Sequence, residues 1–564
     1  MSRATCFLLS VGFVACSSNR PGNVGESCKT ATDCAGGLTC YLDTSPGVCS
    51  QPCGGSSACP TGTSCAALVT SVGDQLCLHT CSSNADCTNG NVCCSALGDV
   101  CTPASKCTGQ VVGLPPVSCT PRQIINGGLI GPATQPTSCQ KPLVNISYPG
   151  ASPVVLGAFQ VQSRINFQVP PGTGTISILQ QVVDGGAPDT ITVNGGSLPN
   201  GVVPFQLIGP DGGVYFDDNV QPPSDLTTLE VAFGSPTPAC ASMTLPNTTQ
   251  ALSHETDGYQ SGTWTMIVND FANECARGVS SAKAAGCVSG QTTQQYDIQI
   301  VTKPIAPETG TIDLGLYLVS EDWTVASAIA DANGGWQRML DTLTTVYAGA
   351  GICLGKVTFY DVPGWAKSAY AARINASDTG PCSLLDQMFT LSQPGGAIPL
   401  FFVDDVQSSS ATGNGIIVGI DGAIPGPAGA GGTVHSGALV NVTNIVTNSQ
   451  CISVPAFHDC GADQVAYIAA HESGHFMGLY HTSEADGTLF DPVGDTSQCA
   501  PSCDTNRDGA VSGAECNDDS STTQSCGGAK NTMFWLLSSQ ARGQFSKQQG
   551  QILRANPAVY QVAP

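Results

Sequence analysis

Three histidines and one glutamate fall within the eleven residues 471–481. His471 and His475 are four positions apart, so on a helix both imidazoles lie on one face and can bind one metal ion. Glu472 projects beside them, where it can take a proton from a metal-bound water. Gly478 can adopt the positive φ that ends a helix, so that the chain returns His481 as a third ligand. Three protein ligands leave a fourth position open, as catalytic zinc requires.

A helix with ordinary surface histidines is the alternative, but it would need neither the glycine nor the third histidine at these offsets. The spacing therefore predicts that His471, His475 and His481 bind zinc and that Glu472 is the general base for hydrolysis. A zinc hydrolase that acts on something other than peptides is a weaker reading of the same residues. His435 and His458 are expected to have structural roles.

Residues 504–515 fit the loop of an EF-hand. The expected oxygen ligands to calcium are Asp504, Asn506, Asp508, the Ala510 carbonyl, Ser512 through water, and bidentate Glu515. Cys503 and Cys516 bracket the loop and flanking helices look absent, so we expect a disulfide-stapled loop that orders its surroundings. A plain acidic surface turn is the alternative.

The segment 471–481 resembles the metzincin signature H-E-x-x-H-x-x-G-x-x-H, which in that family precedes a Met-turn beneath the metal. Met533, within NTMFW at 531–535, is the candidate for that turn, and an ordinary core methionine is the alternative. The LYHT sequence at 479–482 with Asp495-Thr496 is most similar to the pappalysin-like branch, and the leishmanolysin-like branch comes second.

The resemblance covers roughly the last 250 residues. It implies an α/β catalytic domain, zinc held by the three histidines, Glu472 as catalytic acid and base, and a structural Met533. It also implies a peptide substrate lying extended against an edge strand of the sheet. Residues 416–420 and 438–442 are the candidate strands.

Strands and helices alternate in the region 308–564, as an α/β sandwich with a long active-site helix requires. Strands are predicted at 311–319 and 398–403 and a short helix at 546–554. A helix over 324–347 is expected to break in two at Gly334-Gly335. The motif helix is predicted over 464–479, with Asp463 as its N-cap.

Residues 140–303 read as an antiparallel β-sandwich, because short β-rich runs are bounded by Gly, Pro, Asn and Asp and helical periodicity is nearly absent. Examples are 176–179, 190–193, 262–268 and 296–301. The last two resemble jelly-roll domains that accompany bacterial proteases. Residues 108–139 are predicted to be a linker.

The region 17–107 contains three cysteine repeats, each beginning C-x5-C-x5-C and closing with a fourth cysteine after a variable loop. With few large apolar side chains, such a segment depends on disulfides for stability. The chain has 29 cysteines, which indicates an oxidising compartment. Connectivity cannot be read from the spacing.

Residues 1–16 resemble a bacterial signal peptide whose lipobox ends at Cys16, the residue that would carry the lipid and attach the protein to a membrane. Ordinary signal cleavage, giving a free secreted protein, is the alternative. The net charge of -23 excludes nucleic acid as an expected partner.

The sequence thus predicts a multidomain, exported protein: disulfide-rich N-terminal repeats, an antiparallel β-sandwich and an α/β metzincin-like catalytic domain. The predicted function is zinc-dependent, calcium-stabilised hydrolysis of peptide bonds in the extracellular space or outer cell envelope. A cell-surface binding or adhesion protein, using the repeats and the sandwich, is the alternative. The presence of Glu472 favours the enzyme.

Overall fold

A computed structural model describes scattered residues between 27 and 119 and most residues from 121 to 561. Within 121–561, the description covers all residues outside 139–144, 147–153, 184–189, 194–195, 201, 218–239, 256, 271, 273–286, 289–293, 332–333, 377, 379–381, 408–417, 444, 446–460, 518–525 and 538–542. The predicted signal segment with Cys16, and His458, lie outside the described residues. The chain divides into two compact units, Met1–Gln110 and Val111–Pro564.

The first unit repeats one small disulfide-bonded hairpin three times. The hairpin strands pair antiparallel as Thr39–Tyr41 with Gly47–Ser50, Thr63–Ala67 with Gln75–His79, and Asn91–Cys94 with Val100–Pro103. Ser27–Cys28 joins the first hairpin and Pro52–Cys53 the second. The disulfides Cys34–Cys49, Cys59–Cys77 and Cys87–Cys101 each join the second cysteine of a repeat to the fourth. The sequence repeat is therefore also a structural repeat.

Two four-stranded antiparallel sheets face each other in the second unit. One sheet has the order Val154–Gln160, Gln295–Pro304, Thr173–Val182, Cys240–Leu245; the other has the order Arg164–Val169, Gly262–Asp270, Val202–Ile208, Val214–Asp217. Side chains of both sheets, such as Ile178 and Trp264, share one hydrophobic core. A small sheet of Gly196–Pro199, Thr190–Val193 and Cys287–Val288 lies in the same stretch of chain.

The rest of the second unit surrounds a seven-stranded, mainly parallel sheet. Its order is Gly419–Asp421, Ala438–Asn441, Ile398–Val403, Gly310–Leu318, Ile352–Asp361, Gln123–Leu129, with Val559–Tyr560 added beside Gly310–Leu318. Gly419–Asp421 runs antiparallel to Ala438–Asn441 and, among the residues that the structure describes, forms an edge of the sheet. Two-stranded pairs join Asn145–Ile146 to Ala430–Gly431 and Ile374–Asn375 to Val406–Gln407.

Helices cover both faces of this sheet. They span Val325–Ile329, Gly335–Gly349, Gly364–Tyr370, Leu384–Phe389, Gly461–Phe476 and Lys547–Ala555. Gly335–Gly349 and the motif helix Gly461–Phe476 pack into the largest core, while Gly364–Tyr370 and Leu384–Phe389 pack on the opposite face. The predicted break is confirmed, because Gly334 takes φ 72° immediately before the second helix. Among the described residues, no helix is long and apolar enough to cross a bilayer.

The predicted linker 108–139 is wrong in part. Gln123–Leu129 forms a strand parallel to Ile352–Asp361, and a Cys119–Cys353 disulfide fixes its start. Its pairing partner lies more than two hundred residues further along the chain, so local composition could not reveal it. The sandwich strands are consequently inserted between the first two strands of the large sheet.

Asp463 is not the N-cap of the motif helix, since the helix begins at Gly461. Its buried carboxylate instead accepts hydrogen bonds from Arg338 Nη2 at 2.7 Å and Thr342 Oγ1 at 2.6 Å. A buried acidic side chain is stable when paired and hydrogen-bonded in this way. The presence of an aspartate at position 463 is therefore explained by a tertiary ion pair and not by helix capping.

Candidate metal centre

The three motif histidines bring one ring nitrogen each to a common point. The Nε2 atoms of His471 and His475 are 3.0 Å apart, those of His475 and His481 3.1 Å, and those of His471 and His481 3.2 Å. Tetrahedral zinc with Zn–N bonds of about 2.0–2.1 Å places its nitrogen ligands roughly 3.3 Å apart. The spacing of the nitrogens therefore fits one tetrahedral ion.

The tautomers of the three imidazole rings also fit a bound cation. His471 Nδ1 donates to the Thr532 carbonyl and His475 Nδ1 to the Leu479 carbonyl, both at 2.7 Å, while His481 Nδ1 lies 3.1 Å from the Glu484 carboxylate. A ring that donates through Nδ1 and is neutral presents a lone pair at Nε2. Three lone pairs directed at one another repel unless a cation lies between them, so the donor set fits zinc.

Burial keeps two of these rings neutral. It is the main cause that lowers the pKa of His471 to about 3 and holds the pKa of His475 well below its ordinary value, and the neighbouring imidazoles act in the same direction. Metal binding requires the unprotonated imidazole. The two helical histidines are thus in the ligand form throughout the neutral range.

The turn at Gly478 is what returns the third histidine. Gly478 has φ +106°, a conformation that side chains with a Cβ rarely adopt. The Gly478 amide donates to the His475 carbonyl at 2.8 Å and the Leu479 amide to the Gly474 carbonyl at 2.9 Å. These bonds close the end of the helix and direct the chain to His481.

Glu472 follows His471 on the motif helix and is buried, and burial raises its pKa to about 8. A divalent cation in contact with the adjacent imidazoles would act in the opposite direction and favour the carboxylate. Asp421, on the edge strand, is a neighbour that sequence reasoning missed. Burial and the nearby Glu472 charge raise the pKa of Asp421 well above its ordinary value.

Met533 lies directly under the motif helix. It is fully buried, and a Cβ built on Gly474 would be 2.6 Å from its sulfur. Its backbone carbonyl accepts from the Thr482 amide at 2.9 Å, and the preceding carbonyl, of Thr532, is the acceptor for His471. The segment 532–533 thus orients one candidate ligand directly and supports the helix that carries two of them.

The predicted calcium loop is a compact turn with its carboxylates turned inward. Asp504 accepts from the amides of Arg507 at 2.6 Å and Gly509 at 3.0 Å. Glu515 Oε1 accepts from the Thr505 amide at 2.8 Å, and its hydrogen bonds, first those with Ser512, lower its pKa to about 2. Gly509 takes φ +88°, as the sharp turn requires. The remaining predicted ligands, Asn506, Asp508, Ala510 and Ser512, lie along the same loop, and Asn506 donates to Asp508 at 3.0 Å.

Disulfides account for the other close cluster of ligand-type side chains among the described residues. Cys81, Cys87 and Cys101 lie together, but all three are disulfide-bonded, Cys87 with Cys101. Two further bridges, Cys499–Cys516 and Cys503–Cys526, hold the ends of the calcium-loop segment. Bridges in both units indicate folding in an oxidising compartment.

No family model and no curated protein matches the sequence. Archaemetzincin from Methanopyrus kandleri is similar at 17% identity over 32% of this chain and 79% of that one, with a TM-score of 0.19. Archaemetzincin from Archaeoglobus fulgidus is similar at 14% identity over 32% and 86%, with a TM-score of 0.18. Metalloproteinase-II from Bacteroides fragilis is similar at 14% identity over 35% and 59%, with a TM-score of 0.17. Likenesses this weak do not favour the pappalysin-like branch, which stays a prediction, and the chemistry of the site rests on its own residues.

Proposed function

We propose that this protein is a zinc-dependent endopeptidase. The observation that carries the proposal is the convergence of three Nε2 lone pairs, each fixed by a hydrogen bond at Nδ1, on and after a helix that also carries the buried Glu472. Zinc held by His471, His475 and His481 would supply a Lewis acid that polarises a carbonyl and increases the acidity of water. The remaining chemistry falls to the protein's own groups.

Glu472 takes the proton of the attacking water and then passes it to the leaving amine. Its burial suits this role, because a raised pKa brings the carboxyl closer to the operating pH at which it must both accept and donate. The Thr532 and Leu479 carbonyls and the Glu484 carboxylate hold the imidazoles in the donor tautomer. Met533 supports the helix from below.

The substrate is a peptide or protein bound along the edge strand Gly419–Asp421. A strand with one unpaired side can add an extended peptide through main-chain hydrogen bonds. This strand lies against Glu472, so a peptide added to it would pass the catalytic carboxylate. The second candidate, 438–442, is an inner strand paired on both sides, at Ala438–Asn441.

A Glu472→Ala variant tests the assignment. We expect it to retain zinc and to lose about a hundredfold or more in the rate of peptide cleavage, since general acid-base catalysis contributes about that much. Purified protein would be incubated with a peptide library and its products mapped by mass spectrometry, with Glu308→Ala as an exposed, remote control. Cleavage by Glu472→Ala at the wild-type rate would reject the role, and absence of cleavage by zinc-loaded wild type would favour a binding protein.

We also propose that the loop 504–515 binds calcium. The EF-hand spacing of its oxygen-bearing residues in the sequence, the turn at Gly509 and the two bridges that hold the loop support this. Protein treated with chelator should recover its full melting temperature only with both zinc and calcium. In Glu515→Gln, adding calcium should no longer raise the melting temperature. Full recovery with zinc alone would exclude the site.

Export and attachment through Cys16 are proposed on the signal-like sequence of residues 1–16 and on the disulfides. Radiolabelled palmitate should enter the wild-type protein in a bacterial host and should not enter Cys16→Ser. Equal labelling of both would place the lipid elsewhere, and no labelling of either would favour a free secreted protein.

A further inference from the structure

The end of the motif helix is completed by donors from two distant segments. The Phe476 carbonyl accepts from the Gly426 amide at 2.9 Å, and the Met477 carbonyl accepts from Asn556 Nδ2 at 3.1 Å. The last carbonyls of a helix have no partners within it, so external donors determine how the helix ends. Phe476 and Met477 are the two residues before Gly478, where the chain turns toward His481.

Two residues of the β-sandwich form hydrogen bonds with the segments that contain Gly426 and Asn556. Ser242, a buried residue of the strand Cys240–Leu245, donates through Oγ to the Pro425 carbonyl. Lys303, at the end of the strand Gln295–Pro304, donates through Nζ to the Asn556 carbonyl at 3.1 Å. The same ammonium also donates to the carbonyls of Arg554 and Val559 at 2.6 Å and 2.5 Å. Ser242 thus binds Pro425, the residue before Gly426, and Lys303 binds Asn556 itself. Gly426 and Asn556 are the two donors at the end of the motif helix.

Pro425 also contacts the turn itself. Its Cβ lies 3.7 Å from the place that a Cβ on Gly478 would occupy, so the proline packs against the open side of that glycine. A continuous path of contacts thus runs from Ser242 through Pro425 to the turn that presents His481. A second path runs from Lys303 through Asn556 to Met477.

We propose that the β-sandwich is a structural part of the metal centre, and that Ser242 and Lys303 are positioning residues that hold the end of the motif helix and thereby the third ligand, His481. The proposal rests on the zinc site of the proposed function and not on the identity of the substrate. A sandwich that is merely attached would contribute to stability but leave the metal ligands unchanged. The two cases differ in metal affinity and in ligand geometry.

Ser242→Ala and Lys303→Met in the full chain test the proposal. Each should weaken zinc binding by roughly three- to tenfold in competition with a chromophoric chelator, the size of effect that mutations along a chain of packed contacts have on a distant site. Each should also shift the visible absorption bands of the cobalt(II)-loaded protein, which report ligand geometry. Thr265→Val is the matched control, because its hydroxyl bonds to Asn166 within the other sheet of the sandwich. That variant should bind zinc like the wild type.

A measurement on the wild-type protein covers the case in which the variants do not fold. Coupling between two sites is reciprocal, so zinc must stabilise the sandwich contacts if these contacts favour zinc binding. Zinc should then slow amide hydrogen exchange in Cys240–Leu245 and Gln295–Pro304 as well as at Gly426.

Zinc affinity and cobalt spectra that stay at wild-type values while the melting temperature falls would overturn the proposal. Zinc protection confined to the motif helix would overturn it too. If no peptide were cleaved by wild type, the proposed function would fail while the metal affinities and exchange rates still decided this inference.

Discussion

A Cβ atom built on Gly419 would lie 2.2 Å from Oε1 of Glu472, so the backbone of the edge strand directly contacts the carboxylate that we assign to catalysis. No larger residue fits there unless that carboxylate moves. The strand proposed to bind the peptide therefore also limits the positions that the Glu472 carboxylate can occupy.

Gly419→Ala should accordingly reduce activity without removing the metal. Displacement of a catalytic group by about 1 Å costs on the order of a hundredfold in rate, and we expect a loss of that size in kcat. The zinc content should stay at one ion per chain. Steady-state kinetics and metal analysis measure the two effects.

Gly364→Ala serves as the control for the glycine substitution, since no atom beyond its chain neighbours and the backbone of its own helix lies within 4 Å of the place that its Cβ would occupy. It should retain wild-type kinetics. Wild-type kcat in Gly419→Ala would show that Glu472 either tolerates the displacement or has another role.

Met533 offers a separate test, because its role is in packing and not in ligation. Met533→Leu conserves volume and should cost less than about 1.5 kcal/mol in the free energy of unfolding, whereas Met533→Ala leaves a cavity and should cost roughly 2–5 kcal/mol. Both variants should still bind zinc at saturating metal. Urea unfolding of the zinc-loaded proteins provides the comparison, and an Ala variant as stable as the wild type would contradict the packing role.

The arrangement of the metal ligands follows from the sequence because the determinants are local. His471, His475 and His481 lie on one helix and the turn after it, and the glycine that makes the turn is part of the same motif. The break before Gly335 is local in the same sense, since Gly334 supplies a positive φ immediately before the second helix. Short-range periodicity and backbone preference are sufficient for such features.

Features that depend on distant parts of the chain could not be predicted from the sequence. The strand Gln123–Leu129 reads as a linker until its partner Ile352–Asp361 is known. Asp463 reads as a cap because aspartate is common at helix starts, but Arg338 lies 125 positions away in the sequence and determines its place. The donors Gly426 and Asn556 have no signature that ties them to the motif.

Glu484 was also missed, although it lies only three residues after the third histidine. Its carboxylate oxygens are both 3.1 Å from His481 Nδ1, so it orients that ring. Glu484→Ala should weaken zinc binding about tenfold, as loss of an outer carboxylate partner does. Chelator competition measures this, and exposed Asp486, changed to Asn, is the neighbouring control. Equal zinc affinity in Glu484→Ala and wild type would show that the contact does not orient the ligand.

The burial of Asp386 predicts how stability depends on pH in the smaller core, on the face of the large sheet opposite the motif helix. Asp386 is 8% exposed on the helix Leu384–Phe389, and burial, reinforced by the charge of Asp378, raises its pKa to about 7 from an ordinary 3.8. The folded state therefore binds more protons than the unfolded state between these values. The contribution of Asp386 to the free energy of unfolding is complete below the lower value and is lost as the pH rises through the higher one.

Asp386→Asn cannot ionise, so it should lack this loss. Relative to the wild type, its free energy of unfolding should rise by roughly 4 kcal/mol between pH 4 and pH 8, as urea unfolding at several pH values would measure. Exposed Asp322, changed to Asn, should follow the wild-type curve. Parallel pH profiles for Asp386→Asn and wild type would mean that the Asp386 carboxyl is already ionised in the folded protein at neutral pH, and that its surroundings solvate the charge.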